Sequence, residues 1–243
     1  MRDHDVRAAL KRRLEAAHRG DPDTLVVEEM GVWAGSVRID VAVINGELCG
    51  FELKSDRDTL ERLPQQADIY SRVFDRVTLV VGARHAKKAR QIVPKWWGVT
   101  LARLESGEVR LVDDRQAKPN PSQDPMLVAQ LLWREEAVRV LDAIGMAKGW
   151  RSKSAPEVHR RLAEVMPIPQ LALAVRTALK ARQGWLGQTV GNERKVAIHA
   201  NLNPGLAAPW GSSDGNDLLN SAVAPAAGEA PETRVACQGP GMT

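Results

Sequence analysis

VRIDVAVINGELCGFELK, residues 37–54, is a pair of short apolar runs divided by Asn45-Gly46. Asn-Gly takes the positive φ of a tight turn at little steric cost, so the stretch predicts a β-hairpin. Upstream, TLVVEEM (24–30) is short and rich in β-branched residues, which predicts a strand. Before it, Val6, Leu10 and Leu14 recur at helical spacing within residues 5–18, with Arg and Lys between them. That pattern predicts an amphipathic helix, ended near Gly20 and Pro22. Downstream, Leu60, Leu63, Ala67, Tyr70 and Phe74 predict a helix over 56–74, broken or bent at Pro64, which lacks the N–H for the bond to residue 60. A buried strand at 77–82, a helix at 85–92 and a β pair (98–104 with 108–112) around Ser106-Gly107 follow.

Lys118-Pro119-Asn120-Pro121 breaks this alternation. Beyond it Leu127, Leu131, Val138 and Leu141 mark one helix. Ser154 and Glu157 form a capping box that opens a second, with Val158, Leu162 and Val165 inward. Pro167 and Pro169 end it, and Leu171, Val175 and Leu179 mark a third. Residues 203–243 hold 6 Gly, 5 Pro and 8 Ala, too little apolar bulk to offset the entropy of ordering. The expected class is α/β (α+β): a central mixed sheet flanked by helices in 1–118, a small helical region in 122–201, and a disordered tail in 202–243.

The 243 residues carry a net charge of +4, unevenly spread. Residues 1–125 stand near neutral at +1, residues 126–201 at +6 and residues 202–243 at −3. A basic middle suits a polyanion, as it suits a solvated helical surface. No apolar run approaches the roughly 18 residues of a membrane span. MRDHDVRAALKRRLE lacks the apolar core of a secretory signal, so a soluble cytoplasmic protein is expected. Two cysteines, Cys49 and Cys237, argue against a disulfide framework or a thiolate zinc site. The histidines, at 4, 18, 85, 159 and 199, lack metal-ligand spacing and read as surface residues.

The chemistry concentrates in the hairpin. Asp40 lies in its first strand, and Glu52 and Lys54 lie two apart in its second, hence on one face. Pairing about Asn45-Gly46 brings Asp40 beside them across the ladder. Two adjacent carboxylates repel, and a divalent cation relieves them; hard oxygen donors favour Mg²⁺ or Mn²⁺. The lysine then holds or helps deprotonate a water poised for attack on phosphorus.

Asp-x₁₁-Glu-x-Lys on a hairpin resembles the core of the PD-(D/E)XK nuclease superfamily, with Ile39 in place of its loosely kept proline. Gln66 and Tyr70, one helical turn apart, resemble the Gln-x-x-x-Tyr motif of the RecB, Cas4 and λ-exonuclease branches, where it lies near the active site. More closely, Glu52-Leu53-Lys54-Ser55-Asp56, Arg-Leu-Pro-x-Gln (62–66) and Pro-Lys-Trp-Trp-Gly (94–98) look like a largely uncharacterised bacterial family of this superfamily. The likeness continues into Leu-Leu-Trp-Arg-Glu-Glu (131–136) and covers about residues 1–185. It implies a restriction-endonuclease-like core and a Mg²⁺-dependent nuclease, with nucleic acid, DNA foremost, as partner. Asp40, Glu52, Lys54, Gln66 and Tyr70 would be its catalytic set. An upstream acid usually completes the metal site in this superfamily. Glu29, taken to share the face of Leu25 and Val27, is favoured over Glu28 and over Glu15 on the first helix.

Other features read more plainly. Arg84-His85 with Lys87, Lys88 and Arg90 forms the best basic cluster for phosphate contacts, Arg84, Lys87 and Lys88 foremost, or an exposed helix face. Ser55 or Asp56 caps the next helix, and Trp96-Trp97 reads as core. Gly211–Gly215 matches G-x-S-x-G but has neither strand before nor helix after, and no Walker A loop is present. Against the nuclease stand a non-cleaving nucleic-acid-binding module on the same fold and a module that docks a protein partner through the helical region.

Overall fold

The computed structural model describes residues 1–32 and 35–182. Its elements run α1 (Asp3–Ala17), β1 (Leu25–Val32), β2 (Val37–Ile44), β3 (Leu48–Lys54), α2 (Leu63–Ser71), β4 (Arg76–Gly82), α3 (Ala86–Ile92), β5 (Gly98–Glu105), β6 (Glu108–Arg115), α4 (Pro125–Ala129), α5 (Arg134–Ala143), α6 (Ala155–Val165) and α7 (Ile168–Ala181). The six strands form one sheet in sequence order. β1, β2 and β3 pair antiparallel, β3, β4 and β5 pair parallel, and β6 returns antiparallel on β5. The class is therefore α/β, a mixed sheet flanked by helices with a helical C-terminal region. The expected tail, His199 and Gly211–Gly215 lie outside the described residues.

Alternation along the strands divides the core into two layers. Val26, Val41, Val43, Phe51 and Leu53 meet Val6, Leu10 and Leu14 of α1 on one face. On the other, Val27, Ala42, Ile44, Leu79 and Val81 pack in one cluster with α2 and with Leu127, Leu141, Leu162 and Leu179 of the C-terminal helices. The break after Lys118 is tied down: Asn120 donates to the Ser71 and Phe74 carbonyls, and Gln123 to that of Val73. No helix among the described residues is long and apolar enough to cross a membrane.

Four local expectations change. Ile44 pairs with Leu48, so the hairpin loop has three residues, and neither Asn45 nor Gly46 takes a positive φ. The Asn45 side chain instead accepts the Glu47 N–H at 3.1 Å and closes the loop as an Asx turn. Pro64 lies in the first turn of α2, where a missing N–H costs nothing, so it starts the helix rather than bending it. The helix expected through 127–141 is two, because Asp124 caps α4 and Glu136 takes the Trp133 N–H at 2.7 Å to open α5. His159 is buried, its Nε2 3.0 Å from the Leu132 carbonyl oxygen. The capping box of Ser154 and Glu157 is formed at the start of α6.

Candidate functional site

The β2–β3 ladder ends at Val41↔Phe51, so Asp40 and Glu52 are the next residues to face each other. They do not pair through backbone. Asp40 Oδ2 accepts the Leu53 N–H at 2.8 Å, its carboxylate standing in for a ladder carbonyl. On the other side the β1–β2 ladder passes from Glu28↔Val41 to Met30↔Ile39, and Glu29 has φ +52°. Both strands turn over there: Val41 faces α1 and Ile39 the opposite layer, as do Val26 and Met30. This irregularity frees Asp40 from the sheet's alternation. It lies beside an open cleft of about 570 Å³, whose walls include Asp40, Glu52, Lys54, Gln66, Arg38 and Arg62.

Glu52 is only 1% exposed and accepts a hydrogen bond from the Lys54 ammonium on its Oε1. Its Oε2 and the Gln66 Oε1 are buried without a partner. Tyr70 takes a different part from Gln66. Its hydroxyl donates to the Arg38 carbonyl and pins α2 to β2 two residues from Asp40. Its ring packs between Phe74 and Trp97, at centroid distances of 5.9 and 6.4 Å. Trp97 is core, as expected, and donates to Ser71 Oγ at 3.0 Å.

Burial pushes the Glu52 carboxyl up to about 7; the Asp40 charge adds to this and Lys54 opposes it. Burial, then Glu52 and Asp40, raise the Tyr70 phenol, which stays a protonated donor. A carboxyl raised in the folded state is neutral in both states below about pH 4.5, and its ionisation opposes folding increasingly as pH rises toward 7. The metal-free protein should therefore lose stability over that window, by an amount on the order of 3 kcal/mol from this group. Urea midpoints of parent and Glu52→Gln from pH 4.5 to 8 test this, since the variant's curve should lack that component. Parallel curves would show that Glu52 is not so perturbed.

α1 supplies a residue absent from the sequence reading. Arg7 Nη2 lies 2.8 Å from Asp40 Oδ1 and 3.1 Å from Glu29, and Nη1 donates to the Asp40 carbonyl at 3.0 Å. Lys11 pairs with Glu28 at 2.6 Å. Glu29 does not keep company with Val27, because its positive φ swings the side chain to Arg7. Glu15 is exposed on α1 and makes no part of the cleft. Among the described residues no group of three or more His, Cys, Asp or Glu side chains is arranged to hold a metal ion. Asp40 and Glu52 remain as two neighbouring carboxylates, one with an oxygen buried without a donor. That donor set suits a small hard cation such as Mg²⁺.

Lys54 pairs with Val81 in the parallel register, one residue short of the end of β4. Arg84 follows and donates its N–H to Asp56 at 3.3 Å, and Lys87 and Lys88 stand exposed on α3. Gly82 permits this approach: a Cβ there would come within 2.3 Å of Asp56 Oδ1. Neither Ser55 nor Asp56 caps α2, which begins at Leu63. Asp58 closes the turn after β3 by accepting from the Ser55 N–H and hydroxyl, both at 2.7 Å, and Ser55 Oγ accepts the Arg57 N–H at 3.3 Å. Arg38 and Arg62, which the sequence reading also missed, are exposed on the cleft. A cation two residues from an acid on a strand was the available signal for Arg38.

No solved structure matches the chain. It is similar to protein cII of Enterobacteria phage P4, 28% identical over 144 residues. The alignment covers 59% of this chain and 52% of the relative, so the chain spans about half the length of the curated protein it matches. The family model described as bacteriophage P4 protein cII matches residues 1–199. The chain thus belongs to the bacteriophage P4 protein cII family.

Proposed function

We propose that this cleft belongs to a Mg²⁺-dependent nuclease of the PD-(D/E)XK type that hydrolyses phosphodiester bonds in DNA. The supporting observation is the register: where the hairpin ladder stops, Asp40 and Glu52 face each other with Lys54 on Glu52. Asp40 and Glu52 would hold the ion, with Mn²⁺ as an alternative. When bound, such an ion supplies charge stabilisation at a phosphoryl oxygen and a more acidic water. Lys54, an ammonium held by a buried carboxylate, orients a water or offsets developing negative charge. Gln66 has an open acceptor in the cleft and orients a water or substrate donor. Tyr70 keeps β2 and α2 in place. Arg84, Lys87, Lys88, Arg38 and Arg62 are placed to meet phosphates.

A second reading has its own support. Arg7 neutralises Asp40 and Glu29 without any metal, as suits a nucleic-acid-binding module that does not cleave. The full chain incubated with Mg²⁺ and end-labelled single-stranded, duplex, nicked and branched DNA, and with RNA, separates the two. Cleavage of at least one DNA substrate, stopped by EDTA, is expected. Salt-dependent DNA binding with every substrate intact would favour the non-cleaving module.

A further inference from the structure

We infer that Arg7 is the resident counter-cation of this cleft, and that a divalent ion reaches Asp40 only by displacing it; the inference rests on the metal site proposed above. Both Asp40 carboxylate oxygens are engaged. Oδ2 accepts the Leu53 N–H at 2.8 Å and fixes the end of the hairpin, while Oδ1 meets Arg7 Nη2 at 2.8 Å. The oxygen that does not hold the backbone is thus the one the guanidinium covers. A divalent ion bound there would sit within a few ångströms of that guanidinium, where like charges repel strongly at reduced dielectric.

A second, independent observation points to a cation in the same cleft. Glu52 is almost wholly buried and its Oε2 makes no hydrogen bond, because the Tyr70 hydroxyl beside it is given to the Arg38 carbonyl, and Arg7 does not reach it either. One half of the donor pair is covered and the other half open. The fold makes exchange feasible. α1 keeps its apolar anchors Val6, Leu10 and Leu14 when Arg7 leaves. Glu28 keeps Lys11 as its partner when Arg7 leaves. Asp3, one turn back on α1 and already 3.3 Å from Arg7 Nε, offers the guanidinium a place to withdraw to.

Mn²⁺ binding to the full chain, followed by electron paramagnetic resonance of the free ion, tests the inference without any activity measurement. Arg7→Gln should bind Mn²⁺ at least about tenfold more tightly than the parent, because a competing charge is gone. Lys11→Gln should bind as the parent does. Equal or weaker binding by a folded Arg7→Gln chain, beside Asp40-dependent binding by the parent, would overturn the inference and leave the metal site standing. Absence of Mn²⁺ binding from every chain would overturn both. Should Arg7→Gln fail to fold, the parent still decides. Mg²⁺ should move the Arg7 Nε–H resonance and leave that of Arg13, which pairs with Asp113, in place. An unmoved Arg7 resonance at saturating Mg²⁺ would overturn the inference.

Discussion

Asp40→Asn is expected to lower Mg²⁺-dependent DNA cleavage by about three orders of magnitude or more, since a lost metal ligand removes several kcal/mol of charge stabilisation. Its metal affinity should fall with the rate. The sequence alone suggests a relief of repulsion between Asp40 and Glu52, with stability held or raised. The structure reverses that sign, because the carboxylate accepts the Leu53 N–H and pairs with Arg7. An amide can replace only the first of these and turns a donor toward the guanidinium. A loss of about 1–3 kcal/mol is expected in the metal-free protein. Lys54→Ala should separate chemistry from binding. A protonated amine has no lone pair for a metal, so Mg²⁺ still binds while the single-turnover rate falls. The variant leaves the buried Glu52 carboxyl without its ammonium partner, which favours its neutral form, so its metal affinity should recover as pH rises. Parent-like cleavage by Asp40→Asn would sink the assignment of the site.

The approach of Asp40 to Glu52 and Lys54 was legible because strand alternation and hairpin pairing are both local rules. The hairpin itself was legible but its register was not: a two-residue turn at Asn45-Gly46 would set Asp40 opposite Phe51, and the three-residue loop moves it opposite Glu52. The turning over of β1 and β2 at Glu29 and Asp40 was not legible. Its partners are Arg7, 33 residues away from Asp40, and a backbone N–H of β3. Alternation alone put Glu29 on the Val27 face, and the positive φ defeated it. Arg7 and Lys11 each follow a buried residue of α1, Val6 and Leu10, at the edge of the apolar stripe. A cation in that position over two acidic strands was the signal available. Pro64 and the division of α4 from α5 failed for one reason: helical periodicity marks a buried face and says little about where each helix starts. Capping by Asp124 and Glu136 decides that.

Glu136→Ala is expected to cost about 3–5 kcal/mol, as removal of one member of a buried ion pair does. Arg182 grips both oxygens of Glu136, at 2.8 and 2.6 Å, and lies 4.3 Å over the Trp133 ring. One of those oxygens also accepts the Trp133 N–H that opens α5. Burial works to raise the Glu136 carboxyl, yet Arg182 and that N–H outweigh it and hold it below the ordinary value. Its contribution is thus complete above about pH 4.5 and is lost as pH falls through the depressed folded value. Glu135→Ala is the control, since Glu135 is exposed and meets Arg134 only at 3.5 Å; its loss should cost less than about 1 kcal/mol. The destabilisation should spread beyond the helices. α7 carries Arg176 to Asp75, and Asp75 accepts the Leu48 N–H at the start of β3. With one apolar cluster joining these helices to the sheet, urea should unfold the Glu136→Ala chain in a single transition at a lower midpoint. Coincident midpoints by fluorescence and far-ultraviolet circular dichroism check this. A separate early transition in the variant would mean that the C-terminal helices come away from the sheet by themselves, and that the pair secures them alone.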